Sequence, residues 1–121
     1  MANTFKVVTF AAEPNSAGTA YEMYTVAGST TTVVLGLILT NIHTTSVTVE
    51  VELHSDTASR GGDNDVTNGI SYLVKDVTIP AGSSLELLSG GKVVMEATDE
   101  LKIDCSIADK VSGTLSIMEI T

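Results

Sequence analysis

The sequence has no tryptophan, one cysteine, two prolines and only six basic residues in 121. A lone cysteine, Cys105, cannot form a disulfide within the chain, which excludes a small secreted scaffold stapled by such bonds. The five aromatics (Phe5, Phe10, Tyr21, Tyr24 and Tyr72) are too few for a sugar-stacking platform or a base-stacking groove. Fifteen acids against six bases give a formal net charge of −9, and no Lys/Arg cluster interrupts that field. Such a field repels a polyanion, so nucleic acid is excluded as a partner. Long hydrophobic runs are missing too. The longest, Val33–Leu39, has seven residues, whereas a membrane helix needs about 20. The opening residues carry no apolar signal-peptide core. Synthesis in a reducing, aqueous compartment is the expectation, with use there or in particles assembled there.

What is present is Thr, Val and Ile, about a third of the chain. Their branched Cβ atoms restrict χ1 and suit a pleated surface. Thr48–His54 alternates strictly, with Val49, Val51 and Leu53 on one face and Thr48, Glu50, Glu52 and His54 on the other. Leu101–Ile107 does the same, placing Cys105 inward. Further strands are expected at 4–10, 21–26, 31–40, 70–77, 84–88, 93–96 and 113–120, and no window has helical spacing. The reading is one all-β domain over residues 1–121, an antiparallel β-sandwich of eight or nine short strands. Its topology is either jelly-roll or immunoglobulin-like. Residues 1–20 form an N-terminal strand followed by the flexible stretch AAEPNSAGTA, so the strand could act as an arm. Phe5 and Phe10 on it either cap their own core or pack on a neighbour.

Two segments carry apolar residues on both faces. In Val33–Leu39, Val33, Leu35, Leu37 and Leu39 share one parity, while Val34 and Ile38 take the other. Near the C-terminus Leu115 and Ile117 oppose Met118 and Ile120. A sandwich strand needs one apolar face only, so the second implies a covering loop or another subunit. Phe5, Val34, Ile38, Met118 and Ile120 are therefore the candidate subunit-interface residues.

Candidates for chemistry are sparse. Asp63 and Asp65, in the Gly-rich loop His54–Gly69, are the only metal candidates, and their spacing departs from an EF-hand: glycine falls seventh rather than sixth, and Val74 stands where the twelfth-position Glu belongs. His43 lies in a turn, and no second histidine is spaced for zinc. No cofactor, no catalytic residue and no small-molecule ligand is expected; the chain reads as a non-enzyme.

Met1-Ala-Asn-Thr-Phe-Lys6, Tyr24-Thr-Val26, Val34-Leu-Gly-Leu37 with Asn41, Tyr72-Leu-Val-Lys-Asp76, Ile79-Pro-Ala-Gly-Ser83, Val93-Val-Met-Glu-Ala97 followed by Asp99, and the ending Leu115–Thr121 together form a pattern. It resembles small β-sandwich virion proteins of tailed phages of the marine and cyanophage type. The loop 54–69 and Cys105 depart from that pattern. The resemblance implies a capsid decoration (cement) protein, made in the host cytoplasm and carried on the virion. Its partners would be itself, as a homotrimer, and the major capsid protein. A neck, collar or tail component is the alternative, and a calcium- or carbohydrate-binding host-attachment module the second alternative.

Overall fold

The computed structural model describes residues 2–55, 69–88 and 90–121. Within them alternating apolar and polar residues build nine strands: β1 (Asn3–Glu13), β2 (Tyr21–Thr25), β3 (Thr31–Asn41), β4 (Val47–His54), β5 (Ile70–Ile79), β6 (Ser84–Leu87), β7 (Val93–Met95), β8 (Glu100–Cys105) and β9 (Val111–Ile120). Every strand expected from the sequence is present, its ends moved by three residues or fewer.

The strands form two antiparallel sheets, β1-β9-β3-β6 with β7 also on β3, and β2-β8-β4-β5. The order has a simple origin. Strands of the first half pair with counterparts from the second: β1 with β9, β2 with β8, β3 with β6 and β7, β4 with β5. Rolling that long ribbon sets β3 against β9 and β4 against β8. This is the jelly-roll arrangement. Two similar Ala-Gly-Ser turns, at 27–29 and 81–83, each carry the chain from the second sheet to the first. Positive φ falls on Ser29 in one and on Gly82 in the other.

The core lies between the sheets. Leu37, Leu39, Met95, Leu115 and Ile117 face Val49, Val51, Leu101 and Ile103, all fully buried, and Cys105 packs with them as a small hydrophobe. The N-terminal aromatics divide. Phe10 lies over Gly113 of β9, where a Cβ would sit 2.2 Å from its ring, and meets Tyr21 edge-on at 5.2 Å. Phe5 is 71% exposed. The segment read as an arm is β1, laddered along β9 of its own chain, and residues 14–20 follow as turns.

β3 does not keep the alternation read from its sequence. A bulge between Val34 and Gly36 inserts Leu35 and resets the register. Val34 therefore points inward with Leu37 and Leu39 and is 1% exposed, while Val33 takes the outer side. Val34 belongs to the core and is withdrawn from the interface set. β9 pairs without a shift from Gly113 to Ile120, so Met118 and Ile120 lie on its outer side by plain alternation.

Three clusters of polar groups tie the structure together, while Glu13 Oε1 is buried without a hydrogen-bond partner. Asn41 Nδ2 donates to the carbonyls of Thr45 and Ile79 at 2.9 Å each, and Oδ1 accepts the His43 N–H at 2.7 Å. Asp99 accepts from the Glu96 N–H at 2.9 Å and the Ser55 hydroxyl at 3.1 Å. A third cluster clasps the sheets together at one end. The Tyr24 hydroxyl on β2 donates to Glu119 Oε2 on β9 at 2.5 Å, and Lys6 on β1 reaches Oε1 at 2.6 Å. With its one proton committed, the phenol oxygen accepts from Thr32 at 2.7 Å.

Candidate functional site

The sandwich has two unlike outer faces. On the β1-β9-β3-β7 face the register aligns one row of apolar side chains. Phe5 is opposite Met118, Met118 opposite Val33, and Val33 opposite Val94. Strands spaced about 4.8 Å apart make this row roughly 14 Å long. Phe5 and Val94 are 71% and 56% exposed, and Val7 and Ile120 flank the row. Farther along the same face the β3 bulge opens a depression of about 300 Å³ lined by Leu35, Gly36, Ile38, Glu86, Thr114 and Ser116. The remaining outward residues of the paired rows, Asn3, Thr9, Thr31, Thr40, Ser84 and Ser112, are uncharged. Among the described residues Glu86, opposite Ile38, is the only charge in these rows.

The other face is acidic. Glu22 is opposite Lys102, which is opposite Glu52; Asp104 is opposite Glu50, and Glu100 opposite His54. With Asp76 this surface gathers six carboxylates around Lys75 and Lys102. Lys75 bonds Glu50 at 3.1 Å and stands 4.8 Å from the Tyr72 ring centroid; the Glu50 bond is the main cause holding its pKa above the usual lysine value. His54 Nε2 lies 2.9 Å from Glu52 Oε1. Ala17, Gly18, Glu50, Asp76 and Asp104 line a cavity of about 340 Å³ here, in which Asp104 Oδ1 already accepts the Gly18 and Cys105 N–H groups. Among the described residues of this face, the histidine His54 is paired with a carboxylate, Glu52, rather than with a hydroxyl or thiol.

The clasp at the sandwich end shifts two groups. Burial first, then donation to Glu119, pushes Tyr24 up to about 12. The Lys6 ammonium first, then the Tyr24 hydroxyl, hold Glu119 below the usual carboxylate range. Both shifts are those of a structural tie.

Of the residues expected at an interface, Phe5 and Met118 are direct neighbours, Ile120 lies one pair along β9, and Ile38 stands beside the bulge depression at 41% exposure. Val33, Val7 and Val94 were missed. Val33 was hidden by the bulge. Val7 and Val94 were readable from simple alternation, Val7 in step with Phe5 and Val94 between inward neighbours. Asp63 and Asp65 lie outside the described residues. Among the described residues no three His, Cys, Asp or Glu side chains cluster to hold a metal ion. No family model, curated protein or solved structure matches the chain.

Proposed function

We propose that this chain is a non-enzymatic structural protein of a tailed-phage particle, a decoration protein that covers the outer capsid surface and stabilises the head. The observation that carries the reading is the contrast between its two faces. A chain of net charge −9 that keeps one broad face almost free of charge, and threads that face with a row of Phe5, Met118, Val33 and Val94 whose two ends are exposed and whose middle is half-buried, has a side built to be covered. The acidic face is the side left toward water, where like charges keep particles apart. The sequence pattern resembling phage virion proteins supplies the kind of particle, and the jelly-roll topology is one that viral coat domains use.

The partner in this reading is the major capsid protein, met by the uncharged face. The test is binding of purified protein to heads of the source phage stripped of it. The double substitution Phe5→Asp, Val94→Asp adds two charges to the row and should reduce binding at least tenfold. The counterpart Glu22→Gln, Glu52→Gln on the opposite face should bind as the parent does. Equal loss in both, or loss only in the second, would turn the molecule over and refute the orientation.

A further inference from the structure

Five strands form the four edges of the two sheets, and three of those edges are blunted against pairing. β2 has five residues and a register shift between Glu22 and Tyr24. β5 is broken by two shifts against β4 and carries Lys75 and Asp76, the latter at φ 52°. The opposite edge of the first sheet is divided into β6 and β7, of four and three residues. Short strands, bulges and edge charges are the devices that keep sheets from joining. β1 is neither short nor bulged over its first eight residues, and the one charge there is tied to Glu119 of the neighbouring strand in its own chain. Asn3–Phe10 pairs with β9 without a shift, contains no proline, and bears a single charge, Lys6.

The hydrogen-bond phase of this edge is fixed by one pair. Ala2 and Thr121 exchange two main-chain bonds, Ala2 N–H to Thr121 O at 3.1 Å and Thr121 N–H to Ala2 O at 3.0 Å. In an antiparallel ladder such pairs alternate. Thr4, Lys6, Val8 and Phe10 thus bond to β9, and Asn3, Phe5, Val7 and Thr9 turn their N–H and C=O groups away from it. The free edge and the apolar row therefore share Phe5.

The geometry points to a second copy of this chain as the occupant of that edge, with the two β1 strands antiparallel about a two-fold axis through Phe5. Other registers that use the free groups are weaker. Centring on Lys6 sets two ammoniums face to face, which is destabilising between strands. Centring on Val7 brings Asn3 opposite Ala11, where the regular ladder has ended in the Phe10/Glu13 shift and Ser112 bonds the Ala11 carbonyl. Centring on Phe5 sets Lys6 opposite Thr4 and pairs Asn3 with Val7. It also joins the two apolar rows end to end, from Val94 through Phe5 into the second copy. Strand addition of this kind takes affinity from the main chain and register from the side chains. The product is a dimer with one continuous sheet, in place of the trimer that the sequence led to. The inference stands on the edge alone and is read on the isolated protein, so its failure and that of the capsid reading are separate results.

Val7→Pro removes an N–H that β9 does not use, so the chain's own ladder stays intact while the partner's loses a bond. Sedimentation at micromolar concentration should give twice the 12.6 kDa chain mass for the parent and the single mass for Val7→Pro, with near-identical circular dichroism. Phe5→Cys supplies a second readout that needs no dissociation. Opposed residues of a bonded pair have Cα atoms about 5.5 Å apart, within disulfide reach. Under mild oxidation Phe5→Cys should become a covalent dimer. Val7→Cys should not, because the two substituted positions are then about 13 Å apart along the strands. A monomeric parent, a dimeric Val7→Pro, or Val7→Cys crosslinking as readily as Phe5→Cys would each overturn the proposal.

Discussion

Gly113→Ala tests how β1 is held to the body of the molecule. A Cβ at this position would lie 2.2 Å and 2.3 Å from two carbons of the Phe10 ring, well inside any contact distance. The ring must leave, since β9 is held by neighbours on both sides and cannot yield. Expelling it forfeits roughly 1.5–3 kcal/mol of phenyl burial. The edge-on contact with Tyr21 adds about 0.5–1.5 kcal/mol to that loss. Replacing a mid-strand glycine returns roughly 0.5–1 kcal/mol. The net expectation is a loss of about 2–3 kcal/mol, which for a chain of this size lowers Tm by roughly 8–12 °C. Urea and thermal unfolding read it directly. In a Phe10→Ala background the same substitution should cost nothing, because the clash has been removed. A Gly113→Ala protein within about 0.5 kcal/mol of the parent, or an equal loss in both backgrounds, would refute the argument.

Three further expectations follow from burial and charge. Val34→Asp places an unpaired carboxylate in the core and should unfold the chain or cost on the order of several kcal/mol, whereas Val33→Asp, one residue away on the outer side, should cost about 1 kcal/mol or less; unfolding midpoints of the two decide. Tyr24 has a folded pKa of about 12 against an ordinary 10.0. Its tie therefore contributes fully below pH 10 and is lost as pH rises toward 12. Ultraviolet titration should show one late tyrosine, and Tyr24→Phe should abolish it. Glu119 is held below the usual carboxylate range, so its contribution is present at neutral pH and lost as pH falls through its depressed folded value. Glu119→Gln or Lys6→Met should flatten the acid limb of the stability profile, and an unchanged limb would show that the pair contributes nothing.

The strands were legible because a two-residue period is a local property. Thr48–His54 and Leu101–Cys105 show their inner and outer faces without any tertiary knowledge, and the structure places Val49, Val51, Leu101, Ile103 and Cys105 inward as read. What the sequence could not carry is register between strands. A single inserted residue, Leu35, exchanges the roles of Val33 and Val34. No local pattern announces a bulge whose cause is the pairing of β3 with β9 on one side and with β6 and β7 on the other. The apolar row has the same character. Phe5, Met118, Val33 and Val94 lie on four strands spread from one end of the chain to the other, and only the ladder brings them into line. The charge contrast between faces was half visible, since Glu50, Glu52 and Asp104 read as outward on their strands, but the neutrality of the opposite face needed all of its strands at once.

The central claim is that the uncharged β1-β9-β3-β7 face covers a capsid while the acidic face meets solvent. A reconstruction of the intact phage particle by electron cryomicroscopy tests it most directly. The account predicts many copies over the head, with Phe5, Met118, Val33 and Val94 against the major capsid protein and Glu22, Glu52 and Glu100 toward water. Density for this chain in a single ring at the neck or tail, its absence from the particle, or an acidic face turned to the capsid would contradict it.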